Sequence, residues 1–238
     1  MKTISFPNQF ARIRHTVEFV DDFHYYNSGD FWTNLASDGG VTGFAEGDSR
    51  NGRIQGATGA TDNNEITCRS TNEIAIFVAD FSFVYEVRLQ YTEVNTDDAN
   101  IAMGLADAAA ANVLGDDGAG DNINSSGVLI FKVDGGTVWR CAAEINGTIV
   151  ETASVQTAGG SSYQVLRIEG KAVDATNMRF TYFMDGNPLT DSNNRPISHL
   201  LAYASATEMR LIGGYAKAGD TNTETLNIDY AAYAATRT

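Results

Sequence analysis

Along most of this chain apolar side chains return at every second position. The run Phe81 to Gln90 reads FSFVYEVRLQ, with Phe81, Phe83, Tyr85, Val87 and Leu89 on one face and Ser82, Glu86, Arg88 and Gln90 on the other. Period two marks a β-strand with one wet face. The runs Val128–Val133 (VLIFKV) and Val138–Ala143 (VWRCAA) flank Asp134-Gly135-Gly136-Thr137. Asp-Gly between two such runs predicts a hairpin. Asn146-Gly147 inside EINGTIVE and Asp185-Gly186-Asn187 after MRFTYFM predict two more turns. Further strands are expected at Tyr163–Glu169, Glu208–Gly213 and Thr225–Tyr233. No long stretch keeps a helical period. The alanine-rich piece Ala106–Val113 has room for one short helix, but it lies between strands and reads better as a decorated loop. About ten to fourteen strands at hairpin spacing point to an all-β sandwich or barrel. No fixed repeat is visible, which disfavours propellers and solenoids.

Composition agrees with that pattern. Proline is scarce at 3 residues while glycine reaches 23, as many tight turns require. A chain of 238 residues can bury about 70% of its unfolded surface, enough for a core without staples. One large β-domain is expected over residues 19–238. Residues 1–18 stand apart, because Lys2, Arg12, Arg14 and His15 face only Glu18 there. That segment reads equally as a basic docking arm or as a first edge strand.

The net charge of −14 and a pI near 4.4 disfavour nucleic acid and anionic membranes as partners. No apolar run is long enough to cross a membrane as a helix. The N-terminus lacks the apolar core of a signal peptide, so synthesis and folding in a cytoplasm are expected. Cys68 and Cys141 sit in no CxxC or Cys/His cluster. They could pair only if their Cα atoms approached closely, and two buried free thiols is the preferred reading.

Catalytic constellations are largely missing. Leu114–Ser126 and Asp185–Arg195 are rich in Asp, Asn and Gly, but Asp116, Asp117 and Asp121 break EF-hand spacing. Turn chemistry explains both loops, and no metal or other cofactor is expected. The paired carboxylates of a retaining glycosidase are absent: Glu86, Glu169 and Glu208 are isolated, and Glu224 and Asp229, five apart, fall on opposite faces of a regular strand. Tyr215-Ala216-Lys217-Ala218-Gly219 resembles the YxKAG segment of alginate lyases, in which a tyrosine or a histidine serves as base and a cation neutralises the uronate carboxylate. The Arg-x-Glu-Leu-Arg and Gln-Ile/Val-His strands that accompany it in those enzymes do not occur, and His15, His24 and His199 lack that context. A non-enzymatic protein is therefore expected. Sugar binding would use exposed aromatic rings, with Tyr25, Tyr26 and Trp139 as candidate glycan contacts and Trp32 a further aromatic; Trp139 follows a hairpin turn, but a core or interface ring is its preferred reading.

A wider resemblance follows the order of motifs. Phe19-Val20-Asp21-Asp22-Phe23 comes first, then Phe31-Trp32-Thr33 and Gly59-Ala60-Thr61-Asp62-Asn63-Asn64-Glu65. Ile101-Ala102-Met103-Gly104-Leu105-Ala106, Gly127-Val128-Leu129-Ile130-Phe131-Lys132 and Tyr163-Gln164-Val165-Leu166-Arg167-Ile168-Glu169 follow. Ala204-Ser205-Ala206-Thr207-Glu208-Met209, Lys217-Ala218-Gly219 and a closing strand through Ile228-Asp229-Tyr230 complete the series. In this order they resemble a group of tailed-bacteriophage virion proteins with a concanavalin A-like, laminin-G-like jelly roll. That resemblance implies a two-sheet antiparallel sandwich on the outer capsid surface of a virion. It implies decoration or cementing through the major capsid protein, as a homo-oligomer. Lys2, Arg12 and Arg14 would then dock on the shell. The alternative expectation is a lectin-like tail or receptor-recognition module that binds a glycan.

Overall fold

The computed structural model describes residues 16–37, 41–47, 52–107, 109, 111–123, 126–159, 162–203 and 206–236. Sixteen strands form there, with no α-helix. In chain order they are β1 Thr16–Asp21, β2 Trp32–Ser37, β3 Thr42–Glu46, β4 Ile54–Ala57, β5 Glu65–Ser70 and β6 Ser82–Thr92. Next come β7 Asn100–Ala106, β8 Ser126–Lys132, β9 Val138–Ile145, β10 Thr148–Thr157 and β11 Gln164–Ala172. The last are β12 Asn177–Met184, β13 Asn187–Pro188, β14 Ser198–Ala202, β15 Arg210–Lys217 and β16 Thr225–Thr236.

They make two antiparallel sheets. The nine-stranded sheet runs β13-β12-β11-β6-β16-β4-β3, with β1 added beside β16 and β14 beside β12. The seven-stranded sheet runs β10-β9-β8-β7-β15-β5-β2. The period-two pattern decides which faces meet. On β6, Phe83, Tyr85, Val87 and Leu89 are buried in the core between the sheets. Glu86 and Arg88 point outward, where Tyr230 donates to Glu86 at 2.7 Å and Arg88 pairs with Asp229 at 2.5 Å. A bulge on β16 between Ile228 and Tyr230 accompanies that outward Asp229, while Glu224 is wholly buried. Aromatic edges reinforce the core, for example Tyr85 against Tyr233 at 6.3 Å.

The predicted turns form. Asn146 and Gly147 take φ of 49° and 75°, and Asp185 and Gly186 take 50° and 80°, the left-handed pair that a two-residue hairpin needs. The Asp134-Gly135 hairpin joins β8 to β9. On β7, Gly104 has φ +148° and a Cβ there would lie 2.0 Å from the Val128 carbonyl, so no larger residue fits.

Two expectations change. Sixteen strands exceed the count read from patterning, because short strands such as β4 and the two-residue β13 carry no periodic signal. Ala106–Val113 forms no helix in its described residues; the chain leaves β7 there and crosses the outside of the seven-stranded sheet. β1 takes Thr16 to Glu18 into the sheet by pairing with β16. Met1–His15, with Lys2, Arg12 and Arg14, lies outside the described residues. Cys68 on β5 and Cys141 on β9 are free and buried, separated by three strands.

Candidate functional site

Chemistry-bearing side chains gather on the outer face of the seven-stranded sheet. The segment after β7 lies over this face and makes a second small core. Val113, Leu114 and Ile123 from the segment pack with Ala102, Leu129, Phe131 and Ile212 from the strands. Beneath it, Glu65 on β5 accepts the Tyr215 hydroxyl at 2.5 Å and the Asn112 backbone N–H at 2.8 Å. Lys217 donates to Asn112 Oδ1 at 2.8 Å, to the Leu114 carbonyl at 3.3 Å and to Asp116. Lys217 and Tyr215 have no exposed surface. Burial, and then the neighbouring Glu65 charge, push the Tyr215 hydroxyl far above its ordinary value.

A second latch holds the other side of the segment. Arg140 on β9 donates to Glu151 on β10 at 2.6 Å. Asp121 faces the same Glu151. Burial, followed by the hydrogen bond to Glu151 and the charges of Glu151 and Glu144, raises its carboxyl to about 7. Glu224, buried at the loop end of the sandwich beside Glu93, is also raised to about 7, by burial first. Both groups hold a proton in the folded state that the unfolded chain releases near pH 4. Their contribution to stability is complete below pH ~4 and is lost as pH rises through about 7. Thermal melts should therefore fall by several degrees between about pH 4.5 and about pH 8. The double variant Asp121→Asn, Glu224→Gln should flatten that slope; an unchanged slope would contradict the assignment.

The sequence candidates divide. Tyr215 and Lys217 share a face as the YxKAG pattern requires, but they lie sealed under the segment and bonded within it. Trp139 is wholly buried, its Nε1 donating to Gln164 at 2.9 Å, so it offers no face to a sugar. It occupies the core because it alternates with Arg140 and shares its side of β9 with Cys141 and Ala143. Trp32 is likewise buried and donates to Asp21 at 2.8 Å. Tyr25 is 72% exposed on the β1–β2 connection, and Tyr26 bonds Asn34 at 2.5 Å. Neither belongs to the seven-stranded sheet's outer face. His199 is buried between Tyr182 and Thr152, and burial lowers it to about 4, which leaves it neutral near pH 7. Among the described residues no three His, Cys, Asp or Glu side chains converge to hold a metal ion. Two clefts, of about 330 Å³ beside Ile74 and Tyr233 and about 360 Å³ over Lys171 and Arg179, are lined by none of Glu65, Tyr215 and Lys217.

Sequence reading passed over Glu65, Arg69 and Arg210. The alternation in β5, Glu-Ile-Thr-Cys-Arg-Ser, does place Glu65 and Arg69 on one face. Only the pairing of β5 with β15 brings them to Tyr215 and Arg210.

No protein-family model matches the chain, and no curated protein does. Solved structures do. An endo-1,3-beta-glucanase from Streptomyces sioyaensis superposes with a TM-score of 0.63 at 13% identity, covering 99% of this chain and 100% of that one. Lectin UEA-II, complexed with galactose, gives 0.57 at 12% identity over 92% and 98%. The lectin-like defense protein arcelin-5 from Phaseolus vulgaris gives 0.55 at 12% identity over 93% and 98%. The fold is a concanavalin A/legume-lectin-like jelly-roll sandwich.

Proposed function

We propose that this chain is a non-enzymatic carbohydrate-recognition module. One observation carries the reading. Tyr215 and Lys217, the residues best suited to act on a uronate, are spent on Glu65, Asn112 and Asp116 beneath the segment after β7. A tyrosine held far above its ordinary pKa and shut from solvent is a poor proton acceptor for a substrate. Glu151 is likewise engaged, by Arg140. What the fold leaves open is surface, the usual instrument of a lectin. The likeness to lectins supports this at the level of fold alone. A glycan array probed with the full chain should return a reproducible set of hits. A blank array would sink the reading.

A second reading keeps a virion role, decoration of a capsid through its major capsid protein. The order of sequence motifs from Phe19 to Tyr230 favours it. The chain would then co-sediment with phage capsids, and deleting Met1–His15 would abolish this. Absence of the intact chain from the capsid pellet would remove that role.

A further inference from the structure

Arg69 stands in β5 between inward-facing Cys68 and Ser70, so its side chain lies on the outer face of the seven-stranded sheet. The strip formed by β2, β5 and β15 changes character along its length. At the Lys217 end it is sealed; toward Arg69 it opens, and Thr33, Leu35, Arg69 and Arg210 keep partial exposure. Ile212 pairs with Arg69 across the β15–β5 ladder, and Arg210 lies on the same face two residues further along β15. Diagonal neighbours of this kind have Cα atoms about 7–8 Å apart, within reach of long side chains.

The charges there do not balance. Arg210 pairs with Glu73 at 2.7 Å. Arg69 makes no hydrogen bond or ion pair among the described residues, and its Nε is buried without an acceptor. Burial first and the Arg210 charge second lower its pKa, and Glu73 only partly opposes them. Two guanidinium groups thus share one carboxylate in a protein whose net charge is −14. Leaving a cation half-buried beside another without a partner costs stability. A ligand anion would repay that cost. The planar fork of a guanidinium matches a carboxylate with two parallel N–H bonds. Beside it lie hydroxyls, with Thr33 and Thr71 in contact at 2.7 Å, and the apolar Leu35. Three strands give a shelf about 10 Å wide, the width of one sugar chain.

We infer that this shelf is the recognition surface and that its ligand is an oligosaccharide carrying an isolated carboxylate, held by Arg69 with Arg210 in support. The inference rests on the carbohydrate-binding reading and sharpens it. The overall negative field opposes a dense polyanion, so sparse acidic groups on an otherwise neutral glycan suit the site. Contact at the shelf is short-range and should persist at physiological salt, where the Debye length is about 8 Å.

The test titrates the full chain with sialyllactose and with glucuronoxylotriose, each against its neutral parent, lactose or xylotriose. The two acidic arms separate a sialic acid source from a uronic acid source. At least one acidic sugar should bind about tenfold tighter than its parent, the scale of one charge-assisted pair. Arg69→Gln should erase that difference, Arg69→Lys should restore part of it by returning the charge without the fork, and Arg179→Gln, on the other sheet, should leave it intact. Melting curves confirm that each variant is folded; if Arg69→Gln is not, Arg69→Lys carries the comparison. Equal binding of acidic and neutral sugars, or undiminished preference in folded Arg69 variants, would overturn the site while sparing the carbohydrate reading. Failure of every sugar, here and on the array, would overturn both.

Discussion

Replacing Glu65 with alanine is expected to cost about 3–5 kcal/mol and to unlatch the segment that covers the outer face, since breaking a buried charged network leaves its partners unpaired. Glu65 is 4% exposed and holds two groups at once, the Tyr215 hydroxyl and the Asn112 N–H. Both would lose their acceptor in a place that water reaches poorly. Lys217 sits across the ladder from Glu65 and would keep Asn112, Leu114 and Asp116 as partners. Those Lys217 bonds and the apolar patch of Val113, Leu114 and Ile123 would then be the remaining ties for the segment. For a domain of this size the melting temperature should fall by about 6–20 °C. Limited proteolysis should cut between residues 107 and 123 earlier than in the parent protein. Glu65→Gln keeps an oxygen acceptor and should lose less. A cost below about 1 kcal/mol, the scale of one ordinary hydrogen bond, with unchanged proteolysis, would mean that Lys217 and the apolar contacts hold the cover without Glu65.

Trp139→Ala should be comparably severe, at about 3–5 kcal/mol, because a large ring is removed from a packed interior. Trp139 stands edge-on to Tyr91 at 6.2 Å between their centroids. Its Nε1 shares the Gln164 side-chain oxygen with the Gly159 N–H, so the β10–β11 connection loses part of its anchor as well. Trp139→Phe keeps most of the apolar volume and should retain more than half of the stability lost by alanine. Denaturant titration of the three proteins measures this. A Trp139→Ala protein of parental stability that has lost glycan binding would return the ring to the surface as a sugar platform.

Those two residues show where sequence reading stops. The strand β6 and the β8–β9 hairpin were legible because period two and an Asp-Gly turn are local signals, fixed by pleating and by φ. The inward direction of Trp139 is legible too, through its alternation with Arg140, and the core reading preferred from the sequence agrees with its burial, whereas its closeness to a turn allows a surface platform as well. The fate of Tyr215 and Lys217 was not legible. A lysine in a strand reads as solvent-facing, and its burial depends on Asn112 and Asp116, 105 and 101 positions away. The role of Arg69 is hidden in the sequence for the same reason. Its significance lies in a neighbour on β15 and in an absent acceptor, neither of which appears in the order of residues. Non-local pairing converts a candidate lyase motif into a structural latch and an unremarked arginine into a candidate contact.

A carbohydrate-recognition module binds a sugar and leaves it whole. Titration calorimetry with the strongest glycan from the array, followed by mass spectrometry of the recovered ligand, measures both. Saturable binding with the ligand returned at its original mass is the expected result. No heat with any glycan, or a ligand returned shortened or carrying an unsaturated end, would contradict it.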